Sequence, residues 1–339
     1  MISRYDRQTR VKEIGEAGQA KIAASVAVVA GLGALGTAAA NLLARAGVGT
    51  LRLVDRDFVE RSNLQRQTLY DEDDAARSLP KAEAAVEHLK RVNSEIRYEP
   101  VVEDIHPGNV ERIIAGATVV VDGLDNFHAR AVVNEACVKH GVPWVYGAGL
   151  ATYGSSATIV PGATACLHCV MPAAALEATL PITCETVGVL GPVTSLVAAW
   201  QAAEALKIMV GAQAQVCRHL VHFELWANEV AMLPATRADD CEVCVKRRFA
   251  LLESGDRLMT TSLCGRDVVQ VVPPPSFKLD LDLLRDTLSR SLELQENGHL
   301  LRFRADDHDM VVFPDGRAMV FGTADSKQAL SLYGKYVGG

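Results

Sequence analysis

The sequence predicts an α/β fold, a mainly parallel sheet with helices on both faces, followed by a small C-terminal α+β domain. Two observations carry this reading. Through the first half, short valine-rich runs alternate with helix-length segments, the pattern of parallel strands joined by crossover helices. From about residue 260 several strands succeed one another around few helices. With 339 residues, 49% of them hydrophobic, the chain is long enough for two domains and too apolar for disorder.

Val26–Ala30 reads as a strand, Leu35–Ala46 as an alanine-packed helix and Leu51–Asp55 as a second strand. Lys81–Val92 has amphipathic helical spacing, Ile96–Val101 reads as strand and Val110–Ala115 as helix. Thr118–Val121, Ala129–His140 and Pro143–Tyr146 continue the alternation. After Gly147 it breaks: "YGSSATIVPG" suggests a strand outside the simple order. Pro192–Met209 is a nearly uncharged helix, with proline in its first turn and Gly211 as its stop. Its apolar circumference predicts burial on several sides. Leu220–Glu224 and Glu229–Leu233 form a hairpin around Ala227–Asn228. The second domain reads as strand Val268–Val272, helix Leu281–Leu292, strands near Leu300–Arg304, Met310–Phe313 and Ala318–Phe321, and helix Ser326–Tyr336. The expected domains are 1–250 and 258–339.

A formal net charge of −7, with acids spread along the chain, argues against nucleic-acid or anionic-membrane partners, which need a basic stripe. Ile22–Ala44 carries no charge and is long enough to imitate a membrane span, but three glycines interrupt it where a strand should turn into a helix. The charged N-terminus does not read as a signal peptide. Eight cysteines without an export signal point to metal or catalytic roles in a cytoplasmic protein.

"GLGALG" supplies Gly31 for a tight turn, Gly33 for approach of a phosphate to backbone and Gly36 for close helix–strand packing, a Rossmann-like fingerprint. Asp55, 19 residues past Gly36, suits a ribose hydroxyl. These residues do not choose between NAD and ATP. The neighbouring segment does. "VDRDFVERSNLQRQ" supplies Asp57, Asn63, Arg66 and Gln67, and Lys81 opens the next helix. A triphosphate attacked at its α-phosphorus needs several positive donors. Asp125 in "VVVDGLDNFHAR" lies just past a strand end, where a carboxylate suits Mg²⁺ bridging phosphates, unless Asp122 or Asp125 only caps the next helix. An NAD(P)-dependent oxidoreductase remains the alternative. It explains the glycines and Asp55 but leaves Arg66 and Lys81 unused.

"RYDRQ", "GLGALG", "VDRDFVERSNLQRQ", "DGLDN", "CLHC", "TCETVGVLGP" and "CEVC" occur in that order. Over residues 3 to 250 the chain resembles the ThiF/MoeB/HesA branch of ubiquitin-activating-type adenylyltransferases. The resemblance implies attack by the C-terminal Gly-Gly carboxylate of a small ubiquitin-fold carrier protein on the α-phosphate of Mg·ATP. Asp55 would bind ribose, Asn63, Arg66 and Lys81 would hold phosphates, and Asp125 would hold Mg²⁺. Arg7 would reach the γ-phosphate in the other subunit's site, which implies a homodimer. A sulfur-donor protein would be a further partner.

Cys166 and Cys169, with Cys241 and Cys244, form CxxC…CxxC, which describes a closed structural zinc site. The 71 intervening residues exceed a usual ribbon spacing, and a redox pair or unrelated buried thiols are the pattern's other readings. The family resemblance places zinc at these pairs, with His168 a bystander. Cys184 matches a cysteine that joins the carrier covalently in ThiF-like members, whereas MoeB-like members hand on the adenylate; a small buried hydrophobe is the other reading. Cys137, Cys217 and Cys264 have no assigned partner. The appended residues 260 to 339 suggest carrier docking or dimer support, and the terminal "KYVGG" reads as chance.

Overall fold

The computed structural model describes residues 3–171, 187–253, 259–263, 267–274, 277–296 and 300–338. Among these, the residues up to Glu253 form one compact unit and those from Met259 on form another.

In the first unit, helices Asp6–Thr9 (α1) and Gly15–Ala24 (α2) precede strand Val26–Ala30 (β1), helix Ala34–Ala46 (α3) and strand Thr50–Val54 (β2). Helices Glu72–Ala76 (α4) and Lys81–Val92 (α5), strand Arg97–Val101 (β3), helix Val110–Ile114 (α6) and strand Val119–Asp122 (β4) come after them. Next are helix Phe127–His140 (α7), strands Trp144–Leu150 (β5) and Tyr153–Ile159 (β6), and helix Leu167–Val170 (α8). Helix Gly191–Val210 (α9) and strands His219–Glu224 (β7) and Glu229–Pro234 (β8) complete the unit.

The eight strands lie in the order β3-β2-β1-β4-β5-β6-β7-β8. The first five are parallel and β6, β7 and β8 are antiparallel additions, so simple strand–helix alternation extends only as far as β5. Successive strand residues point to opposite faces, and an apolar core covers each face. One packs Val29, Leu51, Leu53 and Val121 against α3, α5 and α9, the other packs Val28, Val54, Val120 and Trp144 against α6 and α7. The order reverses at β1, whose neighbours β2 and β4 are reached by crossovers on opposite faces, and this opens a crevice at the C-terminal ends of β1 and β4.

The charge-free run Ile22–Ala44 is divided between α2, β1 and α3. By length and composition α9 could cross a membrane, yet it packs on α3, β5 and β6, and Val193, Val197, Ala198 and Ala205 are buried. Its buried Gln201 ties two strands together, with Nε2 donating to the carbonyls of Asp122 and Val145 at 2.8 and 3.0 Å. Gly211 ends α9 in the left-handed conformation, as its position after the apolar run predicts.

The second unit comprises strands Met259–Leu263 (β9) and Val268–Val272 (β10), helix Leu281–Leu288 (α10), strands Leu294–Glu296 (β11), Leu301–Ala305 (β12), His308–Val312 (β13) and Ala318–Phe321 (β14), and helix Ser326–Tyr336 (α11). Its sheet is antiparallel, ordered β11-β12-β13-β14-β10-β9. Val269, Val271, Phe303, Val312 and Val320 form its core with Leu284, Leu288 and Tyr333 of the helices. Helix α10 is shorter than its periodicity suggests: the N–H groups of Ser291 and Leu292 both turn back to the Leu288 carbonyl, and β11 begins at once.

Candidate active site

The crevice is built from three loops, and close approach of two of them fixes its floor. Gly31 has φ +88°, and a Cβ on it would lie 2.5 Å from the Gly123 carbonyl oxygen. A Cβ on Gly123 would in turn lie 2.4 Å from the Gly31 carbonyl oxygen. The glycine loop after β1 and the "DGLDN" loop after β4 therefore touch backbone to backbone. Gly36 is required by α3 itself, since its Cβ would fall 1.9 Å from the Gly31 oxygen. Gly33 is different. It stands at the N-terminus of α3, and a Cβ there would meet only the Gly123 oxygen, at 3.8 Å. Its openness leaves the helix terminus free to receive an anion.

Asp55, just past β2, ties this loop to the next. Its Oδ2 accepts from the Leu32 N–H at 2.6 Å and its Oδ1 from the Asp57 N–H at 2.8 Å. Burial pushes its carboxyl above the usual range, and Lys81 opposes the rise. Lys81 opens α5 with its side chain buried, and its Nζ stands 3.2 Å from Asp57 Oδ2. Burial works to lower its ammonium, but Asp57 and Asp55 outweigh that and hold it above the ordinary value. Tyr70 locks the arrangement, its hydroxyl within 3.1 Å of the Leu32 carbonyl and 3.2 Å of the Lys81 carbonyl.

The "SNLQRQ" segment begins as a short 3-10 turn, Arg61–Asn63. Asn63 is buried and spends its Oδ1 on the Glu60 N–H at 3.1 Å. Gln67 is also buried, and its Oε1 has no partner among the described residues. Arg66 is half-buried and donates to the Ser62 carbonyl at 2.9 Å. Gly191 lies against the backbone of Gln65 and Arg66, so the start of α9 supports this segment.

The capping alternative for Asp122 and Asp125 is overturned. Asn126 caps α7, its side chain accepting from the Ala129 N–H at 2.8 Å. Asp122 is buried in an ion pair with Arg130 at 3.0 Å, while Arg130 also donates to the carbonyls of Leu124 and Gly147, at 2.6 and 2.9 Å. That pair stiffens the loop on which Asp125 stands exposed. Asp125 is within electrostatic reach of Arg56, Lys81 and Arg130. One exposed carboxylate at strand ends, beside an anion-receptive helix terminus, suits Mg²⁺ held partly by phosphate oxygens.

Arg7 lies on α1 with its side chain 80% exposed, and Asp6 at 3.4 Å is its ion-pair partner. Cys184 and Cys264 lie outside the described residues. Sequence reasoning missed Arg56, Tyr70 and Gly123, whose partners are distant in the chain. The alternating charges of "DRD" were the only local signal for Arg56.

The four CxxC thiols come together. Cys166 precedes α8, positioned by the Leu167 N–H donating to Asn134 Oδ1 at 2.9 Å, and Arg237 donates to the Cys244 carbonyl at 2.7 Å. The sulfurs are 3.8 Å apart for Cys166–Cys169, 3.7 Å for Cys166–Cys241 and 3.5 Å for Cys169–Cys244. A tetrahedral zinc with Zn–S of about 2.3 Å requires edges of roughly 3.8 Å, so the set fits that ion with no open position. His168 is outside the cluster. Cys137 is a buried apolar-core thiol, pushed up by burial, and Cys217 is half-buried.

The model for the ThiF family matches residues 5–243. The chain belongs to the ThiF family. Its similarity to the sulfur carrier protein ThiS adenylyltransferase of Bacillus subtilis (strain 168) is 41% identity over 344 aligned residues, covering 100% of both chains. The SAMP-activating enzyme E1 of Haloferax volcanii is 37% identical over 243 residues, 72% of this chain and 88% of the relative. Among solved structures, Escherichia coli MccB with ATP superposes with a TM-score of 0.61 at 24% identity, over 71% of this chain and 74% of that one. At that identity the likeness speaks for the ThiF-family fold alone.

Proposed function

We propose that this ThiF-family chain uses ATP to adenylate the C-terminal Gly-Gly carboxylate of a small ubiquitin-fold sulfur-carrier protein. The observation that carries the reading is the convergence of the open Gly33 helix terminus, Asp55 beside the Asp57–Lys81 ion pair, and exposed Asp125 on one crevice. The sulfur-carrier adenylyltransferases among its relatives support it. A carrier carboxylate oxygen bonds to the α-phosphorus, the bond from that phosphorus to the bridging oxygen breaks, and pyrophosphate leaves with the electron pair. The nucleophile is already an anion, so the chain supplies positioning and charge neutralisation rather than a general base.

In this reading Asp55 holds the ribose and the Gly31–Gly36 loop receives phosphate. Asn63, Arg66, Gln67 and Lys81 line the triphosphate, with Asp57 orienting Lys81. Only the Nε2 of Gln67 could donate to phosphate, since its buried Oε1 is an acceptor. Asp125 would hold Mg²⁺, which neutralises phosphate charge when bound. Arg7, exposed on α1, would serve the site of a second copy in a homodimer. Zinc would sit on Cys166, Cys169, Cys241 and Cys244 as a structural ion. Cys184 would carry the acyl group if transfer goes beyond the adenylate, with a sulfur-donor protein downstream.

The test is ATP–pyrophosphate exchange dependent on a Gly-Gly-ended carrier. Exchange should require the carrier, and Asp125→Ala should lower it by about 100-fold or more. Full exchange in that variant sinks the magnesium role. Binding of NADH in place of ATP would restore the oxidoreductase alternative.

A further inference from the structure

Four carboxylates, those of Asp55, Asp57, Asp104 and Asp125, stand in the loops that leave the C-terminal ends of β2, β3 and β4. A crevice so acidic is a poor place for a triphosphate unless the charges are held elsewhere. Lys81 cannot do this alone, because its Nζ is already 3.2 Å from Asp57 Oδ2. Among the other cations here, Arg56 is the one that lies against both Asp57 and Asp104. Its side chain is only 11% exposed, between Asp104 Oδ2 at 2.8 Å from Nη1 and Asp57 Oδ1 at 3.6 Å from Nε. Asp57 thus shows one oxygen to Arg56 and the other to Lys81. Asp104 is set in place by its own loop, where Asn109 Nδ2 donates to the Asp104 carbonyl at 2.7 Å.

We infer that Arg56 is a positioning residue for the nucleotide: it holds the charge of Asp57 and Asp104 so that Lys81 Nζ can turn to an incoming phosphate. The inference rests on the adenylation reading for its ligand. Arg56 acts through Asp57 rather than by touching the substrate, so its removal hurts in two ways. Asp57 then closes fully on Lys81, and Asp104, which still accepts from the Ile105 N–H at 2.9 Å, loses the guanidinium that holds its charge beside the crevice. Removing Asp104 instead has the opposite sign, because it gives Asp57 the whole of Arg56 and frees Lys81.

The experiment is calorimetric titration of the full chain with Mg·ATP, paired with the KM for ATP in carrier-dependent exchange. Arg56→Met should raise the Kd and KM by about tenfold while kcat stays within about twofold. Adding Asp104→Asn to Arg56→Met should recover about threefold or more of that loss, which a packing role for Arg56 would not do. Asp104→Asn alone, which keeps the arginine, should bind Mg·ATP more tightly than the wild type. Wild-type affinity in Arg56→Met overturns the inference. So does a double variant no tighter than the single one. If Arg56→Met does not fold, an Asp104→Asn chain with unchanged or weaker ATP binding overturns it. A wild-type chain that binds Mg·ATP but gives no exchange defeats the adenylation reading, while the ratio of affinities among the variants still decides the role of Arg56.

Discussion

Gly33 and Gly123 lie in adjoining loops and answer to different constraints. A Cβ at Gly123 collides with the Gly31 oxygen at 2.4 Å, whereas one at Gly33 finds room in the protein. Gly123→Ala should therefore cost about 1–3 kcal/mol in urea unfolding and part the two loops. Gly33→Ala should leave stability within roughly 0.5 kcal/mol yet weaken Mg·ATP binding, because the added methyl occupies the approach to the helix terminus. Equal unfolding midpoints for the two variants would refute this division. Gly31, Gly36 and Asp55 were legible in the sequence because the βαβ turn defines them locally. Gly123, Arg56 and Tyr70 were not, since each is explained by atoms from another loop.

At the scale of elements, most strands and long helices stand within a residue or two of where periodicity puts them, Lys81–Val92 and Ser326–Tyr336 at both ends. Helix α2 escaped because "GEAGQAKIAA" lacks an apolar stripe, with Gly18, Gln19 and Ile22 its buried residues. The antiparallel β7–β8 hairpin was legible, but the antiparallel pairing of β6 with β5 and β7 was not, because strand direction has no period. The thiol cluster joins α8 to the turn containing Cys241 and Cys244, beside the apolar core that Leu167 and Val243 share. Metal binding at such a set is folding energy. Stripping zinc with a strong chelator, or Cys241→Ser, should lower the thermal midpoint by about 5–10 °C. Elemental analysis should find one zinc per chain before treatment. A metal-free chain of unchanged midpoint would remove the structural role.

The whole molecule is two units with separate cores, and the family match, residues 5–243, falls within the first. The first unit also contains the crevice loops and all four clustered thiols. We expect a chain ending at Glu253 to fold, retain zinc and bind Mg·ATP within about threefold of the full chain. Calorimetry on the truncated chain checks this, and loss of cooperative unfolding would show that the second unit is part of the first one's stability. The B. subtilis relative matches along the whole chain, so the second unit is shared with at least one curated sulfur-carrier enzyme. Its sequence carries no chemical signature of its own, since neither a glycine-rich phosphate loop nor a histidine–cysteine group distinguishes residues 260 to 339.

The thiol cluster also has a consequence for biogenesis. Cys166 and Cys241 are 75 positions apart. At a synthesis rate of about 5–20 residues per second, the first pair waits roughly 4–15 s for the second. During that interval the ribosome-bound chain carries two nucleophilic thiols with an unfinished coordination sphere. The crevice loops need nothing made later than α9, so they can assemble before Cys241 and Cys244 are made. Zinc-starved cells should then accumulate a chain whose first half is native-like and whose CxxC pairs are open to oxidation.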